Sequence, residues 1–366
     1  MNTVISKHDQ SLKPAIATES IWARRSMLIG KPNGAINFRL NLAGLRLAFI
    51  LALACLLLGM MALKLGALSF SNAEVFAALK GEGSSRAMIV INQWRLPRVF
   101  MAIVIGAALG MSGAIFQSLV RNPLGSPDVI GFGTGAHTGA LITIILLNGG
   151  YLEIATGAII GGLLTALLVY LLAWRQGIHG FRLIIVGIAV SAMLAAFNTW
   201  LSITGSLEAA MSVALWAAGS LNGMSWAKGL PAAAFCLSCM LLALLLGRRM
   251  QLLEMGDDSA SALGVPAERT RLQLMALGVA LIAAATAATG PIAFIALVAP
   301  QIVKRIGSNN AASLYLSALM GALLLLLADV AAQHLFFPQQ FPVGIITVSI
   351  GGVYLIWLLL CEAKRI

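Results

Sequence analysis

Charge is scarce in this chain: Lys, Arg, Asp and Glu together make up 10% of it, and only 13 of those residues are acidic. A water-soluble domain carries far more charge, so a free-standing soluble globule is excluded. Cysteine is scarce too. Cys55 and Cys361 sit in apolar runs, and Cys236 and Cys239 form a C-x-x-C inside a helical pattern with no second ligand pair; buried small hydrophobes explain them better than a metal site. The four histidines, His8, His137, His179 and His334, are scattered and share no ligand spacing. An enzyme would need paired acids, a metal cluster or a nucleophile beside a base, and no such set stands out. Gly131, Gly133, Gly135 and Gly139 imitate a phosphate loop, but no strand precedes them and the Lys-Ser/Thr ending is missing. Close helix packing accounts for them better.

What the chain has in quantity is apolar length. Hydrophobic residues reach 60% and the mean hydropathy is +0.93, which places the chain in a membrane as one polytopic unit. Apolar runs of roughly 17 to 25 residues mark about ten candidate spans. They lie near Leu42 to Met61, Val99 to Leu119, Val129 to Leu147, Ile154 to Ala173, Leu183 to Ile203, Leu230 to Leu246, Leu272 to Thr289, Ile292 to Val303, Leu314 to Leu335 and Val343 to Leu360. The eighth is too short to cross as a regular helix; Pro291 and Pro300 bracket it, which predicts a partial helix lined by protein.

A net charge of +11 and a pI near 10.0 would suit nucleic acid, but the charges follow loop side instead. With the N-terminus inside, only Lys64, Lys80, Arg86, Arg95, Arg98 and Lys228 of the 24 Lys and Arg residues fall outside. An even number of spans returns Lys364 and Arg365 to the cytoplasm, as the positive-inside rule requires. Residues 1–41 then read as a polar cytoplasmic tail, followed by an uncleaved first helix and a membrane domain over 42–366.

Two segments stand out. From Trp94 to Gly131 an apolar span is interrupted at both mouths: Arg95 and Arg98 flank Pro97 at one, and Arg121, Asn122, Pro123, Pro127 and Asp128 break the chain at the other. Between them Gly106, Gly110, Ser112 and Gly113 permit close helix approach. The second segment is the loop 248–271, RRMQLLEMGDDSASALGVPAERTR. Asp257 and Asp258 suit the first turn of a short helix, Ala260 and Leu263 would share a face, and Gly264-Val265-Pro266 would stop it.

Five motifs in order carry a family resemblance: WRLPR at Trp94, SGAIFQSLVRNPLGSPDVIG from Ser112, LLEMGDDSASALGV, GPIAFIALVAPQIVKRI from Gly290 and FPVGIITVSIGGVYLI from Phe341. The chain resembles the iron-siderophore and cobalamin class of ABC importer permeases from about residue 42 to its end. The resemblance implies an all-α polytopic fold of about ten transmembrane helices, with helices two to five and seven to ten as an inverted repeat and a short cytoplasmic coupling helix. It implies a non-catalytic subunit in a bacterial inner membrane, both termini cytoplasmic. The expected partners are a second, different permease in a heterodimer, two ATPases that hold the ATP and magnesium, and a periplasmic siderophore-binding protein. No cofactor is expected on this chain itself. The implied cargo is a ferric catecholate siderophore of the enterobactin type; another siderophore, haem or cobalamin is the alternative within the class.

Residue by residue, the resemblance assigns Arg95 and Arg98 to docking of the binding protein, and Asn122, Leu124, Gly180 and Phe181 to a cytoplasmic gate. It assigns Gly256, Asp257, Asp258, Ala260, Leu263 and Gly264 to ATPase coupling. Phe181 and Gln333 depart from some relatives, which carry a small hydroxyl residue and an arginine there. Asp329 lies inside the ninth apolar span, where a charge has to face protein or water. It serves either as a packing anchor or as a substrate contact, and an anionic cargo favours the first. An ion-coupled secondary transporter, the reading from another class, would lean on Asp329 alone for its coupling carboxylate.

Overall fold

The computed structural model describes residues 26–29, 38–66, 68–174, 180–306, 313–335 and 339–363. Most of the tail assigned to 1–41 lies outside the described residues, as do His8, His179, Lys364 and Arg365. Ahead of the first span, β1 (Ser26–Ile29) pairs antiparallel with β2 (Phe38–Asn41), Ser26 opposite Asn41.

The remaining regular elements among the described residues are helices. They run α1 (Leu42–Lys64), α2 (Asn72–Leu79), α3 (Ser85–Met88), α4 (Leu96–Val120), α5 (Pro127–Ile130), α6 (Phe132–Ile145), α7 (Tyr151–Ala173) and α8 (Gly180–Thr204). Then follow α9 (Leu207–Ala217), α10 (Trp226–Glu254), α11 (Asp257–Ala262), α12 (Ala267–Thr289), α13 (Ile295–Ile306), α14 (Leu314–His334) and α15 (Val343–Ala363). A π-helical stretch, Ile89–Arg95, joins α3 to α4 and makes one helix of 36 residues.

Each of the ten apolar segments falls on a helix: α1, α4, α6, α7, α8, α10, α12, α13, α14 and α15. Seven helices among the described residues are long and apolar enough to cross a membrane, and Phe132–Ile145, Leu207–Ala217 and Val343–Trp357 are shorter apolar helices. Helices satisfy their own backbone groups, which lipid cannot do.

The structure departs from the sequence reading at its breaks. The third span is split, because Gly131 takes a left-handed φ of 93° and separates the single turn α5 from α6. Pro300 does not end the eighth span but sits inside α13. A proline there frees the carbonyl four residues back, and that group, on Ala296, lies against Gly113 of α4. The helices α2 and α9 belong to no apolar run of spanning length. Their starts are legible nonetheless: Ser71 and Glu74 form a reciprocal capping box on α2, and the Ser206 hydroxyl accepts from the Ala209 amide on α9.

Packing centres on α4. Gly106 and Gly110 lie directly against the backbone of Gly321 and Ser317 on α14, so closely that a Cβ on either glycine would collide with a carbonyl. Ser112 donates to the Gly278 carbonyl of α12 at 2.7 Å, and Gln117 donates to the Leu297 carbonyl of α13 at 3.0 Å. The pattern of neighbours is symmetric: α4 lies on α14 as α12 lies on α7, and α13 rests on α4 as α6 rests on α12. Those are the pairings that an inverted repeat produces. Within the first half, Gly135 and Gly139 of α6 face Gly157, Gly161 and Thr165 of α7, which is the close packing expected of that glycine run.

An ion pair locks the α4–α14 crossing. Arg98 Nε lies 3.1 and 3.0 Å from the two carboxylate oxygens of Asp329, and Nη2 donates to Oδ1 at 2.8 Å. Gln333 adds a 2.8 Å bond to Oδ2. The Asp329 side chain is 0% exposed and that of Arg98 13%, so Asp329 is a packing anchor. Removing one partner of such a pair strands the other, at a cost of about 3–5 kcal/mol, whereas replacing both with apolar residues is often neutral. Asp329→Ala should therefore lower the unfolding midpoint in detergent sharply, and Arg98→Met combined with Asp329→Leu should restore most of it; a single variant as stable as the parent would contradict this role.

Candidate functional site

The residues singled out by sequence gather at the two ends of α4, about 35 Å apart at 1.5 Å per residue. At one end Arg98 is held by Asp329, as described. Arg95 occupies the last position of the π-helical stretch and is also engaged within the chain. Its Nη1 donates to the carbonyls of Leu63 and Lys64 at 2.8 and 3.2 Å, its Nη2 donates to Leu68, and its guanidinium lies 5.2 Å from the Phe70 ring centroid. Arg95 thus satisfies carbonyls left open where α1 ends, where a cation also complements the helix dipole. Both arginines are half-buried, so each presents an edge of fixed charge rather than a free side chain.

At the other end α4 stops at Arg121, a non-glycine residue in the left-handed region (φ 54°). The turn after it is set by Asn122, whose Oδ1 accepts from the Leu124 amide at 2.9 Å; the Leu124 side chain is exposed. Gln301 of α13 reaches back to this turn, donating to the Gln117 side chain at 2.7 Å and to the Pro123 carbonyl at 2.8 Å. Gly180 and Phe181 open α8. Phe181 is 77% exposed, so this chain alone supplies little cover for its ring.

The loop 248–271 contains the short helix foreseen in the sequence, α11, with Asp257 and Asp258 in its first turn. Gly256 and Gly264, at φ 116° and 80°, admit the chain and release it in conformations that side chains disfavour. One expectation fails here. Ala260 is 0% exposed whereas Leu263 is 62% exposed, so the two do not share an outward face. Leu263 is the C-cap, beyond the last helical residue, and the helical spacing no longer aims it. Ala260 packs into the chain's own core, which removes its methyl group from any direct partner contact.

Two groups that sequence reasoning left without roles hold this loop in place. Arg121 Nη2 donates to the Leu253 carbonyl and to Asp257 Oδ1, both at 2.8 Å, and Arg271 Nη2 donates to the two oxygens of Asp257 at 2.7 and 2.8 Å. Partial burial works against the charged form of Asp257, but Arg271 and then Arg121 outweigh it and hold its carboxyl below the usual range. Ahead of α13, Phe294 is a second non-glycine residue in the left-handed region, at φ 70°.

Comparison with known proteins agrees with this architecture. Residues 51–361 match the model of the FecCD transport family. The ferric enterobactin transport system permease protein FepG of Escherichia coli K12 is 56% identical over 316 residues, covering 86% of this chain and 96% of that protein. The hemin transport system permease protein HmuU of Yersinia pestis is 37% identical over 344 residues, covering 91% and 99%. A solved metal-chelate type ABC transporter in an inward-facing conformation superposes with a TM-score of 0.77 at 28% identity, covering 87% of this chain and 99% of that one. PsaBC from Streptococcus pneumoniae, at 17% identity and a TM-score of 0.51, shares the fold. With its described helices, its paired half-folds and these relatives, the chain is an integral, multi-pass membrane protein that belongs to the FecCD transport family.

Proposed function

We propose that this chain is the permease subunit of an ATP-driven importer that carries a ferric catecholate siderophore of the enterobactin type across the bacterial inner membrane into the cytoplasm. The observation that carries this reading is the 56% identity with the ferric enterobactin permease of E. coli over nearly its whole length. The chain is non-catalytic and binds no cofactor; ATP and magnesium belong to two partner ATPases. A second, different permease completes the pathway, and a periplasmic binding protein delivers the cargo. Residues 1–41 form a cytoplasmic tail, 42–366 form the permease domain, and the C-terminus returns to the cytoplasm.

In this orientation Arg98 lies at the periplasmic end of α4 and Arg121 at the cytoplasmic end. Arg95 and Arg98 offer fixed positive edges to acidic groups on the binding protein. Asp329, by holding the Nε and Nη2 groups of Arg98, orients that charge rather than touching cargo. Asn122 and Leu124, with Gly180 and Phe181, form one subunit's share of the cytoplasmic gate. The helix between Gly256 and Gly264 meets the ATPase, with Asp258 and Leu263 on its outward side; Asp257 and Ala260 hold it from within. Binding energy on the two faces shifts the chain between outward-open and inward-open states.

The test is reconstitution of the chain with its partner permease, ATPases and binding protein in vesicles. Ferric catecholate should accumulate inside only with ATP on the cytoplasmic side and loaded binding protein on the other. Uptake driven by an ion gradient without ATP would overturn the reading in favour of a secondary transporter. The gate assignment makes a separate prediction. Phe181→Ala removes an apolar ring from the constriction, so passive efflux of preloaded siderophore without ATP should rise severalfold, and equal leak in variant and parent would place Phe181 outside the pathway.

A further inference from the structure

Three helices meet on one carboxylate at the Arg121 end of the bundle, and a fourth joins them through Arg121. Asp257 opens α11; Arg121 caps α4; Arg271 belongs to α12; and the Leu253 carbonyl, bonded to the same Arg121 nitrogen, belongs to the last turn of α10. The chain joins α11 to α10 and α12 directly, turning at Gly256 and Gly264 through positive φ. No such covalent neighbour links α11 to α4, more than 130 residues away. Arg121 makes that link with side-chain bonds, and its left-handed backbone turns the side chain back beneath α4 at some conformational cost.

From α4 the connection spreads. Gln117, one turn before Arg121, is bonded to Leu297 and Gln301 of α13, and the same helix ends at the Arg98–Asp329 pair on the opposite side of the bundle. A displacement of α11 that is borne by Arg121 therefore acts on the most buried helix of the fold. The Arg121 and Asp257 side chains are each 46% exposed, and exposed pairs of this kind add little to global stability. Their geometry is costly to hold for stability alone.

We propose that Arg121, Asp257 and Arg271 form a strut that fixes how α11 is presented and passes its displacement to α4, making them positioning residues for coupling ATP hydrolysis to transport. This rests on the importer reading above and adds to it the route by which motion enters the membrane helices. The route is physical only if α11 and α4 move together, and transport per ATP reports that directly.

In the reconstituted complex with its partner permease, ATPases and binding protein, the ferric catecholate delivered per ATP hydrolysed is measured beside the unfolding midpoint. Arg121→Gln and Asp257→Asn should each lower that ratio at least fivefold with the midpoint shifted by no more than a few degrees. The double variant should fall no further than either single one, because both break the same strut, and Asp257→Glu should recover at least half of the ratio. Arg121→Lys keeps the charge but gives up the simultaneous reach to Leu253 and Asp257, so it should also uncouple, on a chain with no newly stranded carboxylate. Ratios within twofold of the parent in these variants, or multiplicative losses in the double variant, would overturn the strut while leaving the importer reading intact. A parent complex with no ATP-linked uptake would overturn both.

Discussion

The close approach of its neighbours to α4 is the constraint on which the rest of this structure depends. In an apolar medium helices gain little from burying leucine against leucine, so association rests on backbone proximity and interhelical polar bonds. Along α4 both are present: Gly106 and Gly110 let α14 reach the helix axis, Gly113 receives the freed carbonyl of Ala296, and Ser112 and Gln117 bond across to α12 and α13. Once α4 is placed, its symmetric counterpart α12 finds α7 and α6 by the same logic. The outer faces of α1, α7 and α10 are then left to lipid, lined by residues such as Leu56, Leu164 and Leu241.

At each end of α4 an arginine meets an aspartate, and the two pairs have different physics. The Arg98–Asp329 pair is desolvated and bidentate, so its integrity is a matter of stability. The Arg121–Asp257 pair is open to water and shared with Arg271, so it adds little to stability, and what it contributes is the placing of α11 against α4. One end of the helix is therefore held by a buried pair and the other by an exposed one. That asymmetry fits a permease in which docking needs charges at set positions while ATP-driven motion enters from the opposite side.

Much of this was legible in the sequence, for identifiable reasons. Hydropathy placed a helix at each of the ten spans it marked, because lipid permits few alternatives, but it passed over the shorter apolar helix α9. Small-residue spacing marked the face of α4 that meets α14, and the Gly256 to Gly264 interval marked α11. The pairings were not legible. Arg98 and Asp329 stand 231 residues apart, and only the inverted topology brings them together. The same holds for Arg121 and Asp257, whose charges read as a loop cation and a helix-capping anion. Ala260 was assigned outward because its spacing from Leu263 is helical; burial by its own chain, which no local pattern encodes, turned it inward. The breaks at Gly131 and Pro300 were visible as residues but not as geometry, since no local pattern shows that the carbonyl freed by Pro300 lies against Gly113 of α4.

The exposed face of α8 is apolar along its length, with Phe181, Ile185, Ile188, Met193, Trp200 and Ile203 all exposed and Thr199 among them. The importer account requires that it be covered by a second permease of different sequence. Native mass spectrometry of the complex released from its own membrane tests that most directly. The account predicts one copy of this chain with one copy of a different permease and two ATPase subunits; a monomer, or an assembly holding only copies of this chain, would contradict it.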